Sequence, residues 1–245
     1  MDKLKSMFTT RILAFSSSRA GNSGYLEPTV PVIKKFITSS EKNIAFIPFA
    51  STDNNYEEYA SKVRIGLKDL SLHIHLVLPD KAKSTIEKSD VIMVGGGNTF
   101  KLIHDIYELK LLDLIRNKVN NGAAYIGWSA GSNILSATIG TTNDMPIIEP
   151  RSFNALGLLP FQINPHYFNQ KTEGFNGETR DQRLEEFLAI NPGISIVGLP
   201  EGTGLHIEND SVKYFGEETG ILFQNFETNI IKNEINTGAD LSFLL

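Results

Sequence analysis

The sequence predicts an α/β fold in three layers, a mainly parallel sheet with helices on both faces. Three observations carry that expectation: short apolar runs of strand length, amphipathic stretches of helical length between them, and polar clusters placed just after the apolar runs. In chain order, "RILAFSS" (11–17), "NIAFIPFA" (43–50), "LHIHLVLP" (72–79), "DVIMVGGG" (90–97), "AAYIGWS" (123–129) and "ISIVGLPE" (194–201) read as strands. Between them, 55–70 has apolar residues at helical spacing, and 99–122 holds two helices or one broken helix, with Gly122 as a stop. The stretch 177–193 begins with acids and ends at Pro192-Gly193. After residue 201 the pattern changes to short antiparallel strands with polar turns. No repeat, low-complexity segment or linker interrupts the chain, so one domain over residues 1–245 is expected. In such sheets the loops at the carboxyl ends of the strands build the site. Gly95 to Asn98, Gly127 to Gly131, and Pro200 to Gly202 all fall there.

Composition narrows the function. The 245 residues are 41% hydrophobic and 21% charged, as in a globular protein, with a net charge of -5. There is no basic block, so no nucleic-acid partner is expected. No apolar run is long enough to span a membrane, and the first fifteen residues lack a signal-peptide pattern, which leaves the cytoplasm as the expected location. The chain has no cysteine. If it is a covalent hydrolase, serine or threonine must attack.

Gly127-Trp128-Ser129-Ala130-Gly131 matches G-x-S-x-G, in which glycines permit a tight strand-to-helix turn that exposes a strained serine. The residues that follow can begin a helix whose free amides favour negative charge near Ser129. The blander reading is a glycine-rich turn with a capping serine. A base is needed, and there are five histidines. His73 and His75 alternate in an apolar strand; an H-x-H metal pair is one reading, a surface pair the better one. His104 lies mid-helix and His206 in a late strand. His166 follows Pro165 in a polar, aromatic loop where a rigid turn can aim its ring, and it is the best candidate. Asp144, in "TTNDMPI", and Glu201, at the end of "ISIVGLPE", are the candidate acids, with strand-end position favouring Glu201. For the oxyanion, Ala130 supplies one N–H and Gly97 in "GGGNTF" a second. That glycine loop lacks the patterns of nucleotide-binding loops.

The segments "VGGGNTF", "YIGWSAGSN", "TTNDMPI", "INPHY", "GETRDQR" and "GLPEGT" resemble, in the same order, the peptidase E family of aspartyl dipeptidases, over about Arg11 to Gly216. The resemblance implies a fold like the class I glutamine amidotransferases, with serine in place of cysteine at the elbow. It implies hydrolysis of dipeptides with an N-terminal aspartyl residue, without metal or other cofactor. Ser129 matches the nucleophile, His166 the base, and both Asp144 and Glu201 match acids proposed as third member. Ser132 stands where alanine is expected and Gly140 where a basic residue is expected; the tail after Glu217 fits poorly. Selecting aspartate requires a cation, for which Arg180 and Arg183 are candidates, with an exposed, salt-bridged helix face as the blander reading. Asn98, Thr142 and Asn143 are candidate contacts to the substrate ammonium or peptide. The expected partner is a small peptide, and the chain is expected to be a monomer or homodimer. The rivals are a hydrolase of aspartyl polymers, like the cyanophycinases, and a non-catalytic small-molecule binding module.

Overall fold

A computed structural model describes residues 10–170, 173–174, 176–226 and 229–245. The amino-terminal residues 1–9, within the stretch that lacks a signal-peptide pattern, lie outside that set, as do 227–228 in the late antiparallel stretch.

The central apolar runs form strands because both of their faces are covered, whereas the run at 73–76 lies at the sheet edge and is partly exposed. In β1 (Arg11–Phe15), Ile12 and Ala14 join one core cluster while Leu13 and Phe15 join another, and all four are buried. Around it stand β2 (Asn43–Ile47), β3 (His73–Leu76), β4 (Val91–Val94) and β5 (Ala124–Trp128), followed late in the chain by β8 (Gly204–Glu208) and β9 (Ser211–Phe215). Their order in the sheet is β3-β2-β4-β5-β1-β8-β9. The first five run parallel, and β8 and β9 extend the sheet antiparallel beyond β1.

Helices α1 (Val30–Phe36) and α2 (Tyr56–Gly66) cover the face that carries Leu13 and Phe15. The other face packs against α3 (Ala82–Glu87), α4 (Thr99–Glu108), α5 (Leu112–Asn120) and the single turn α6 (Ala130–Asn133). The stretch 99–122 is thus two helices, and Gly122 adopts φ 99°, a conformation that ends α5 at no side-chain cost.

One departure from the sequence expectation concerns 194–201. Its strand, β7 (Ser195–Leu199), lies outside the parallel sheet, in a second sheet of four strands. There it pairs parallel with β6 (Gln162–Pro165) and antiparallel with β10 (Gly220–Phe226), which pairs with β11 (Asn229–Ile235). Ile163, Val197, Leu199 and Leu222 extend the main core from this sheet. Helix α7 (Arg180–Ile190) covers it through Leu184 and Leu188 against Ile196 and Phe223, and starts at a Thr179–Gln182 capping box. Among the described residues no helix is long and apolar enough to cross a membrane.

Candidate active site

Ser129 joins β5 to α6 with φ 54° and ψ -117°, a strained conformation for a residue with a side chain. The flanking glycines make the turn possible. A side-chain carbon at Gly131 would drive into the Val94 carbonyl, and one at Gly127 would stand 2.5 Å from the Gly131 oxygen. The helix after the elbow is shorter than expected. Four residues align too few peptide dipoles for a helix field, so what α6 offers is the Ala130 N–H itself, which has no acceptor among the described residues. The buried Ser132 hydroxyl stands 2.7 Å from the Phe15 carbonyl and 3.0 Å from that of Gly127, tying the turn to β1 and β5.

His166 follows β6. The sequence read this segment as a loop because Gln162 and Asn164 break the apolar pattern, yet all four strand residues are buried. Asn164 is satisfied there, donating to the Thr141 carbonyl and to Asn143 Oδ1. His166 itself has φ 51°, and its backbone N–H donates to Ser16 Oγ at 2.9 Å, while the Ser16 hydroxyl donates to the Leu199 carbonyl at 2.7 Å. The imidazole then bridges two side chains: Nδ1 lies 2.9 Å from Glu201 Oε1 and Nε2 lies 2.9 Å from Ser129 Oγ. With Nδ1–H donating to the carboxylate, Nε2 is left as the acceptor for the serine hydroxyl. Ser17 Oγ accepts from the Gly202 N–H at 3.2 Å, which braces the turn carrying Glu201. Ser16 and Ser17 were not singled out in the sequence. Their one signal is a polar run, Ser16-Ser17-Ser18, at the carboxyl end of β1, the strand beside β5.

Asp144 is elsewhere. Its Oδ2 accepts from the Thr99 N–H at 2.7 Å and from the Thr142 hydroxyl at 3.0 Å, at the amino end of α4. Asn98 caps the same helix through Oδ1 and donates from Nδ2 to the Met145 carbonyl. Asn143 donates to the Pro165 carbonyl. Thr142 and Asn143 therefore hold the loop together. Asn98 and Asp144 face a cavity of about 600 Å³ that they line with Gly97, Ser129, His166 and Tyr59.

Gly97, at φ 135°, has no room for a side chain, since a carbon there would run into the Ala50 carbonyl. Its N–H, like that of Ala130, has no acceptor among the described residues. Arg180 is half-buried, donates to Asn164 Oδ1 at 3.4 Å, and has no carboxylate at ion-pair distance among the described residues. Burial, and then the like charge of Arg183, lower its guanidinium from the ordinary value. Arg183 is exposed and lies 3.9 Å from Glu178. Gly140 packs against Phe187, whose ring would stand 2.7 Å from an added side-chain carbon, so a basic residue would not fit there without displacing that ring.

The remaining histidines are apart. His73 and His75 are exposed on the edge strand β3, His104 pairs with Asp105, and the His206 ring meets Phe36 edge to face. Among the described residues no group of three or more histidines and carboxylates could hold a metal ion.

A strained serine hydrogen-bonded to an imidazole that a carboxylate orients, beside free backbone N–H groups, can carry out acyl transfer. Known proteins agree with that chemistry. The chain is 51% identical to peptidase E of Nostoc sp. over 238 residues, covering 96% of each chain. It is 46% identical to peptidase E of Shewanella amazonensis, covering 96% of this chain and 99% of that one. Two solved structures share the fold. A peptidase from an acI-B1 Actinobacterium matches with TM-score 0.67 at 16% identity, over 97% of this chain and 98% of that one. A protein from Listeria monocytogenes matches with TM-score 0.66 at 23% identity, over 86% of this chain and all of that one. The model of peptidase family S51 matches residues 12–215, a span that holds the elbow, His166 and both acids, and so the chain belongs to peptidase family S51.

Proposed function

We propose that this chain is a serine dipeptidase that removes an N-terminal aspartyl residue through an acyl-enzyme. Ser129 attacks the carbonyl after that residue while His166 takes its proton, and Glu201 holds the imidazole tautomer and stabilises the imidazolium. The N–H groups of Gly97 and Ala130 receive the oxyanion. His166 returns the proton to the leaving amine, then activates the water that frees the aspartate. The observation that carries this reading is the continuous contact chain Glu201–His166–Ser129, with both links at 2.9 Å.

Arg180 is the proposed partner of the aspartyl carboxylate. A half-buried cation without a carboxylate favours a ligand that brings one, whereas Arg183 already has Glu178 nearby and stands in solvent. Asp144, which lines the cavity and has Oδ1 without a hydrogen-bond partner among the described residues, is the proposed acceptor for the substrate ammonium. The chain is proposed to act as one domain in the cytoplasm, an expectation that rests on sequence alone.

Turnover of a panel of Asp-Xaa, Asn-Xaa and N-acetylated dipeptides, set beside a branched aspartyl polymer, tests this reading. Asp-Xaa cleavage that requires the free amine is expected. Cleavage of the polymer alone would move the activity to the cyanophycinase type.

A further inference from the structure

We propose that Tyr59 is a positioning residue of the oxyanion hole, its hydroxyl holding the Gly96–Gly97 peptide so that the Gly97 N–H faces the carbonyl oxygen under attack. This rests on the serine-peptidase reading and goes beyond it, because nothing in that chemistry names a residue outside the loop.

The Tyr59 hydroxyl donates to the Gly96 carbonyl at 2.9 Å. That carbonyl and the Gly97 N–H belong to one planar trans peptide, so they point in opposite directions. Holding one therefore aims the other. The loop around this peptide is anchored on both sides: the Gly95 N–H donates to Ile47 O and the Asn98 N–H to Ala50 O. Between those anchors, Tyr59 is the only partner of the Gly96 carbonyl among the described residues. A peptide between two glycines turns over at little steric cost. Turned over, it would present a carbonyl oxygen to a developing negative charge and repel it.

The neighbourhood is shaped to bring the phenol there. A side-chain carbon at Gly95 would stand 2.5 Å from the Tyr59 hydroxyl, so only glycine lets the phenol approach. At Gly96 an added carbon would meet the Ser129 side chain at 2.9 Å, which sets this peptide directly against the nucleophile. The Tyr59 ring is wedged edge-on against Phe46 and Tyr25, at 5.1 and 6.4 Å between centroids, and its packing on Phe46 does not need the hydroxyl, which also neighbours the Tyr25 and Trp128 side chains. Burial raises the phenol pKa, so it remains a donor across the working pH range. A donor to the carbonyl also polarises the peptide and strengthens its N–H.

The test compares Tyr59→Phe with wild type in two reactions: hydrolysis of an aspartyl dipeptide, and phosphonylation of Ser129 by a fluorophosphonate, which also places a negatively polarised oxygen in the hole. Losing an oxyanion donor outright costs about 10² to 10³ in kcat, and a mispositioned one less, so a fall of about 10- to 100-fold is expected. It should appear in kcat and in the phosphonylation rate alike, with KM within about threefold. A merely structural role would lower thermal stability or raise KM and leave the phosphonylation rate alone. Wild-type rates in folded Y59F overturn the proposal. Should Y59F not fold, Gly95→Ala displaces the same hydroxyl, and a wild-type phosphonylation rate in that variant overturns it equally. Wild-type protein that is phosphonylated at Ser129 but leaves aspartyl dipeptides intact overturns the substrate reading, while the phosphonylation arm still decides the role of Tyr59.

Discussion

Asp144 and Glu201 line different cavities that share His166, and they are held in opposite ways. Asp144 lines the cavity that contains Ser129; Glu201 lines a second cavity, of about 640 Å³, and the His166 ring is common to both. Asp144 is half-buried and accepts two hydrogen bonds on one oxygen, one of them from the backbone at the start of α4. Its charge is held by a backbone N–H and a neighbouring hydroxyl, neither of which titrates. Glu201 is 56% exposed at its side chain and contacts the imidazole alone among the described residues. A carboxylate bound by backbone donors suits a static task, such as holding a cation. One bound to a titratable ring suits a step in which that ring gains and loses a proton. Sequence position alone ranks these two acids weakly; their donors separate them.

That contrast predicts a ladder of effects. Ser129→Ala tops it, because both sides of the site serve one attacking atom: turnover should fall by about four or more orders of magnitude with the fold intact, as judged by circular dichroism. Normal turnover in folded S129A would end the serine reading for both acids. Next comes Glu201→Gln. An amide at Nδ1 can favour the wrong tautomer, a change that costs a serine protease about 10⁴. Because Glu201 is open to solvent, water can partly replace it, and a kcat loss of about 10² to 10⁴ with little change in KM is expected. If E201Q instead raises KM at constant kcat, the two acids exchange roles.

Arg180 and Arg183 extend the comparison from acids to bases. Replacing Arg180 by Met should reduce the preference for aspartyl over asparaginyl substrates by about 30-fold, or roughly 2 kcal/mol, since a desolvated cation loses most when its carboxylate is missing. Replacing Arg183 should leave the preference alone, because its charge is screened at the surface. Equal preference in both single variants and wild type would move the carboxylate site elsewhere. Asp144→Asn is the next smaller effect. It keeps an oxygen for the Thr99 N–H but removes the charge facing the cavity, so KM should rise about tenfold while kcat falls less. The kinetic constants of the two amides, measured on one dipeptide, decide between the assignments.

These effects also mark what the sequence could reveal. The elbow is legible because its causes are local: glycine spacing and a strand ending before a serine. Strands β1, β2, β4 and β5 are legible because burial on both faces leaves an unbroken apolar record, while the edge strand β3 is legible by its β-branched and aliphatic run alone. β6 is not, because its polar Gln162 and Asn164 are buried by partners far away in sequence, Thr141 and Asn143 among them. The second sheet escapes for the same reason, since the pairing of β7 with β10 joins segments that no local pattern connects. α1 and α3 span seven and six residues, too few turns to give a periodic signal. Ser16 and Tyr59 act through the backbone of other residues, at His166 and Gly96 respectively, and a contact of that kind leaves no spacing to find.

Ser132 is the smallest rung, and it tests whether a departure from the family resemblance matters. Its hydroxyl has one proton and two carbonyls within reach, those of Phe15 and Gly127. Removing it creates little new need, because the Phe15 carbonyl also accepts the Ser129 N–H at 3.1 Å. The loss is therefore one net hydrogen bond in a buried place, worth about 1 kcal/mol, offset in part because alanine buries no polar group. In a chain of this size that lowers Tm by about 2–4 °C at most. Catalysis should change less than twofold, because the close approach of Gly131 to the Val94 carbonyl, which seats the turn after the strained Ser129, is left untouched by S132A. Thermal unfolding and kcat of S132A check both halves. A kcat loss above tenfold at unchanged Tm would mean that the hydroxyl, and not the glycine packing, holds the elbow in shape.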